Sequence, residues 1–105
     1  MTKKQLKDYR PIKGELAALE ALSRKIERHG SDELCRLYER KREGLTADLR
    51  HIEEVIEGLG PVERTLMRLR YIEGLEWHQV ADRIHYSWQQ THRIHKQVLI
   101  KIKDL

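Results

Sequence analysis

An all-α fold is predicted by three features of this 105-residue sequence. Charged residues make up 36% of it and aromatics only 6%, with no Phe. Pro and Gly together number eight, and apolar residues recur every three or four positions through most of the chain. That composition favours long, surface-charged helices over a sheet, and the length admits one small domain or a very small domain with an appendage.

The first predicted element is the run GELAALEALSRKIERHG, where Leu16, Leu19, Leu22 and Ile26 form an apolar stripe. Ala17, Ala18 and Ala21 lie between them as strong helix formers. Pro11 suits the first turn and Gly30 the end. Leu6 and Tyr9 precede the proline, and the pattern leaves open whether they join the same helix through a kink. A second helix restarts at SDEL, with Ser31 or Asp32 as N-cap and acidic groups in the first turn. Its stripe runs through Leu34, Leu37 or Tyr38, Leu45, Leu49, Ile52, Ile56 and Leu59, roughly 25 residues or about 37 Å at 1.5 Å per residue. ERKREG interrupts that stripe, and Gly44 costs about 1 kcal/mol relative to Ala, so a bend is expected there. Two amphipathic helices joined by a short turn read as an antiparallel helical hairpin, with dimerisation or docking as one use for it.

Gly58, Gly60 and Pro61 mark the clearest boundary, dividing the chain into a hairpin segment over 1–60 and a second unit over 61–105. In PVERTLMRLRYIEG, Val62, Leu66, Leu69 or Arg70, and Ile72 share a helical face that Gly74 ends. EWHQVADRI is a short helix with Trp77, Val80, Ala81 and Ile84 on one buried face. SWQQTHRIHKQVLIKIKDL follows, capped by Ser87, with Thr91, Ile94, Val98 and Ile102 as its buried stripe. This layout is a helix-turn-helix. Ala81 supplies the small residue where the two helices meet. Val80, Ile84, Tyr86, Thr91 and Ile94 fill the angle between them. Two positions depart from the usual pattern: His85 stands where Gly with positive φ is common, and the Thr91 hydroxyl needs a partner. A unit of about 45 residues is marginal alone, so the long helix ending at Leu59, or a partner chain, is expected to support it.

Charge locates the function. The net charge is +4, with +1 in residues 1–60 and +3 in residues 61–105. From Ser87 to Lys103 the chain carries Arg93, Lys96, Lys101 and Lys103 and no Asp or Glu. Trp88, Gln89, Gln90, His92, Arg93 and Lys96 lie off the buried stripe. A recognition helix places its opening turns in the DNA major groove, where Gln pairs with adenine, Arg with guanine, and Lys or His with phosphate. An ordinary solvated face would mix both signs.

The run GPVERTLMRLRYIEGLEWHQVADRIHYSWQQTHRIHKQVLIKIKDL resembles the C-terminal DNA-binding region of bacterial sigma factors. The shared pattern is a Pro, a Glu-Arg, an Arg-Tyr before a Gly, a Val-Ala and a Ser opening the last helix. With its helical N-terminal half, the chain is similar to the sigma-like phage and prophage regulators of the RinA and ArpU group of late transcription activators. The resemblance implies DNA contacts from Trp88, Gln89 and Arg93, with Ser87, His92 and Lys96 beside them; the helix face adds Gln90 to the DNA-binding set. Trp88 departs from the family, where an Arg is common. The resemblance also implies that the surface around residues 62–72 engages RNA polymerase.

Other chemistry is weaker. His78, His85, His92 and His95 invite a zinc reading, but no Cys lies near and zinc needs three or four converging ligands, so no metal and no cofactor are expected. No nucleophile motif, phosphate loop or HExxH occurs, so no enzyme is expected. Opening a promoter takes aromatic residues that capture unpaired bases, and residues 1–60 hold no such cluster, so the chain is expected to adjust transcription without initiating it. Two alternatives are the DNA-binding small subunit of a phage packaging machine and a helical protein-interaction module. A single Cys35 rules out an internal disulfide. MTKKQLKDYRP lacks the apolar run of a signal peptide and no window of about 18 apolar residues occurs, so a cytoplasmic location without membrane contact is expected.

Overall fold

A computed structural model describes residues 1–105 and is helical throughout, without strands. The elements are α1 (Lys3–Lys7), α2 (Tyr9–His29), α3 (Asp32–Glu57), α4 (Pro61–Met67), a π-helical turn (Arg68–Ile72), α5 (Trp77–Ile84) and α6 (Trp88–Lys101). The all-α expectation holds. The open question at the N-terminus is answered by a break at Asp8. Leu6 lies in α1, whose Thr2 and Gln5 form a reciprocal cap, and Tyr9 opens α2 with Pro11 in its first turn.

Helices α2 and α3 form the hairpin. Gly30 ends α2 in an extended conformation, and a Cβ there would lie 2.6 Å from the Ile26 side chain, so only Gly lets the chain turn this tightly. The Ser31 hydroxyl caps α3 by accepting from the Leu34 N–H, with Asp32 and Glu33 in the first turn. Helix α3 then runs unbroken through Gly44, where a bend was expected. One interior glycine costs about 1 kcal/mol, less than breaking the backbone hydrogen bonds of a continuous helix.

Residues 1–60 and 61–105 are not independent units. A single core joins Met1, Leu6, Tyr9 and the Leu49–Leu59 end of the hairpin to Leu66, Met67, Leu69, Tyr71, Val80, Val98 and Ile102. The long helix therefore supports the C-terminal unit, as its small size requires. The Met1 ammonium donates to the carbonyls of Ile102 and Leu105, both at 3.0 Å, and so satisfies the C-terminal end of α6. The far end of the hairpin projects from this core, giving a molecule of 54 × 27 × 19 Å.

Helix α4 starts at Pro61, with the Glu63 carboxylate accepting from the Gly60 N–H. A regular helix was expected to continue to Gly74, but at Arg68 the register widens to a π turn. The widening buries Met67, Leu69 and Tyr71 together, whereas Val62, expected on the buried face, is exposed. Gly74 adopts φ +76, and an added Cβ would meet the Arg10 guanidinium at 1.4 Å. The positive φ is what the reversal before α5 needs glycine for, and the missing side chain leaves room for the Arg10 guanidinium.

Candidate functional site

Helices α5 and α6 pack together, with Val80 and Ala81 of α5 and Thr91, His95 and Val98 of α6 all buried. The turn between them places His85 at φ 60, ψ 39, the left-handed conformation that the motif requires. Its strain, about 1–2 kcal/mol relative to Gly, is borne by a surrounding structure that fixes both helices. Ser87 then opens α6 with a full capping box. Its hydroxyl accepts from the Gln90 N–H at 3.1 Å, and the Gln90 side-chain oxygen accepts from the Ser87 N–H at 3.1 Å. The Thr91 hydroxyl, buried completely, finds its partner one turn back by donating to the Ser87 carbonyl at 2.8 Å.

The buried stripe of α6 is Thr91, His95, Val98 and Ile102, not Thr91, Ile94, Val98 and Ile102. Ile94 is only half-buried. Counting four and seven residues on from Thr91 reaches His95 and Val98, so the periodicity already pointed to His95; its polarity hid it. Tyr86, expected to fill the angle between the helices, is 39% exposed.

His95 is accommodated by rings. The Tyr71 hydroxyl lies 2.6 Å from His95 Nε2, and Trp77 meets the imidazole edge-on at a centroid separation of 4.5 Å. Burial, the Lys3 ammonium, His92 and Arg70 push the His95 pKa down to about 4, so the ring is neutral, and it shares a hydrogen bond with the Tyr71 hydroxyl. Burial also raises the Tyr71 pKa. The stack continues outward. His92 packs between Trp77, at 4.6 Å, and Trp88, at 4.0 Å, and the Arg70 guanidinium covers Trp77 at 4.7 Å. A ladder of five rings thus runs from Tyr71 in the core to Trp88 at the start of α6, where Trp88 is 56% exposed.

Among the seven residues singled out from sequence, the structure distinguishes four situations. Gln89, Arg93 and Lys96 are exposed, and neither cation is in an ion pair. Ser87 and Gln90 are exposed, but their side chains are engaged in the helix cap. His92 is not a free phosphate ligand: it is part of the ring stack, and its buried Nε2 has no hydrogen-bond partner. Trp88 is exposed on one side and rests on His92 with the other. Lys101, counted in the basic face, pairs with Glu63 of α4 at 3.0 Å, leaving Arg93, Lys96 and Lys103 as its unpaired cations.

The four histidines of this region occupy four different settings. His78 is exposed on α5, His85 makes the turn, His92 stacks and His95 is buried. No three His, Cys, Asp or Glu side chains converge in a geometry that would hold a metal ion. No helix is long and apolar enough to cross a membrane. Comparison with family models, curated proteins and solved structures returns no match for this chain, so its residues and their arrangement carry the functional reading.

Proposed function

We propose that this chain binds double-stranded DNA sequence-specifically through α6 to regulate transcription, as a phage or prophage activator acting with RNA polymerase. The observation that carries this reading is the face of α6. It carries no carboxylate, and it presents Gln89, Arg93 and Lys96 outward from a helix seated across α5 by Ala81 and the left-handed turn at His85. Gln and Arg on the opening turns of such a helix are suited to reading adenine and guanine edges, and Lys96, a turn further on, suits a phosphate. Trp88 offers an apolar surface for a thymine methyl, oriented by His92 behind it.

The Arg93→Ala variant should lose about 1–3 kcal/mol of binding to its preferred sequence and little on random duplex. Lys96→Ala should weaken all duplexes alike and reduce the salt dependence by about one phosphate contact. Fluorescence anisotropy on a selected site and a scrambled one separates the two. Identical losses on both duplexes for both variants would remove base reading.

Leu22, Leu34 and Leu37 at the far end of the hairpin are exposed, which favours association through the N-terminal helices. A homodimer formed there should protect inverted half-sites about 34 Å apart. Self-association without retention of any duplex would favour the interaction-module reading.

A further inference from the structure

The N-terminal helices carry cations that the α6 reading does not use. Lys3 and Lys7 share a face of α1 at i, i+4, and Lys7 meets Arg10 of α2 across the break at Asp8, where both line one cavity. Lys7 and Arg10 lie against the π turn, and the N-terminus is tied to the end of α6 by the Met1 ammonium donating to the Ile102 carbonyl. Lys7 and Arg10 line a cavity of about 230 Å³ together with Arg70, Tyr71 and Gly74. Arg10 Nη1 donates to the carbonyl of Glu73, fixing the guanidinium against the reversal before α5.

Two further features make this strip suited to an anion. None of Lys3, Lys7, Arg10 and Arg70 forms an ion pair, and no carboxylate lines the cavity. Asp8, the nearest acid in sequence, lines a different cavity with Met1, Gln5 and Asp48. Both arginines are held by backbone carbonyls, Arg70 through the Leu75 oxygen at 2.9 Å, and each keeps donors of its five-donor fork to spare. Several cations in a row, two of them guanidinium groups with free donors and none paired with a carboxylate, match the repeated charges of a phosphate backbone.

We propose that Lys3, Lys7 and Arg10, together with Arg70, form a phosphate strip that grips the DNA backbone beside the groove read by α6. The proposal rests on the DNA-binding reading and adds a second contact surface contributed by the N-terminal helices. From Lys3 to Arg10 the strip extends about 10 Å, which spans on the order of three phosphates of one strand. The N-terminal segment therefore has two roles: it completes the core through Leu6 and Tyr9, and it widens the DNA footprint to one side of α6.

The test uses the full chain with Lys3→Gln and Lys7→Gln combined, since both side chains are exposed and make no hydrogen bond. Lys25→Gln, on the hairpin, serves as a charge-matched control. Binding to duplex DNA is measured from 50 to 300 mM salt, with phosphate-ethylation interference to locate backbone contacts. The double variant should bind every duplex about tenfold more weakly and lower the slope of log affinity against log salt by about 2, at roughly 0.9 per phosphate. Two or three interfering phosphates should vanish from one flank only, and the control should change neither measurement. An unchanged slope and interference pattern, with duplex still bound, would overturn the strip and leave the α6 reading standing. An equal fall in slope for the control would overturn it too, as a net-charge effect. Failure of the unaltered protein to bind any duplex at 50 mM salt would overturn both.

Discussion

The two halves of α3 have similar amphipathic sequence patterns and very different surroundings. In its second half Leu49, Ile52 and Ile56 are buried, Ile56 to 1% exposure, because α1, α2, α4 and the C-terminus close around them. In its first half Leu34 and Leu37 stand 37% and 42% exposed, because α2 alone covers that stretch and its own Leu22 is open as well. An amphipathic stripe therefore states which face will be buried if something covers it; whether it is covered depends on how many elements converge. The near half works as part of the C-terminal unit, and the far half as a lever projecting from it.

The sharpest break of this comparison is a pair of truncations. Ile56→Ala should cost about 2–5 kcal/mol in chemical denaturation, as for a fully buried large-to-small change. Leu37→Ala belongs at the opposite end of the scale, at about 0.5 kcal/mol or less. A cost for Leu37→Ala comparable to that of Ile56→Ala would mean the far half is covered in solution.

Next in size is the pH response of the near half. His95 faces Tyr71, Trp77, His92, Arg70 and Lys3, and its pKa is pushed down from 6.5 to about 4. Between those values the unfolded chain binds the proton and the folded one does not. The stability present above about pH 6.5 is therefore lost as pH falls toward 4, by about 3 kcal/mol. Unfolding measured for the native protein and for His95→Leu should converge or cross by that amount between pH 7 and 4. A constant difference across that range would show that His95 titrates normally.

A smaller effect sharpens the same contrast at the turn. His85 holds a left-handed conformation only because α5 and α6 are both anchored in the core. His85→Gly should raise the unfolding free energy by about 0.5–1 kcal/mol, the relief of strain being partly offset by greater freedom of the unfolded chain. Its DNA affinity should stay within about twofold, since the opening turns of α6 are unaltered.

Much of the molecule was legible because its signals are local. The caps at Ser31 and Ser87, the stops at Gly30 and Gly58, the left-handed position at His85 and the small residue Ala81 each follow from backbone sterics or from hydrogen bonds spanning three or four residues. The outward face of α6 is equally local, since acids absent over seventeen positions cannot appear there by folding. The neighbours of Gln90 and His92 were not legible for the opposite reason: position on a helix wheel gives direction and says nothing of what lies in that direction.

By itself, then, the sequence determined which segments are helical, where they stop, and that the last helix offers cations without acids. Tertiary structure alone decided that residues 1–60 and 61–105 share one core. It also decided that His95 is buried under Tyr71 and Trp77, that His92 packs on Trp88, and that Lys7 and Arg10 line one cavity with Arg70. The physical reason is range. Helix formation and capping are settled within a turn or two of the chain, whereas burial and pKa depend on residues tens of positions apart, brought together only when the apolar faces close on each other.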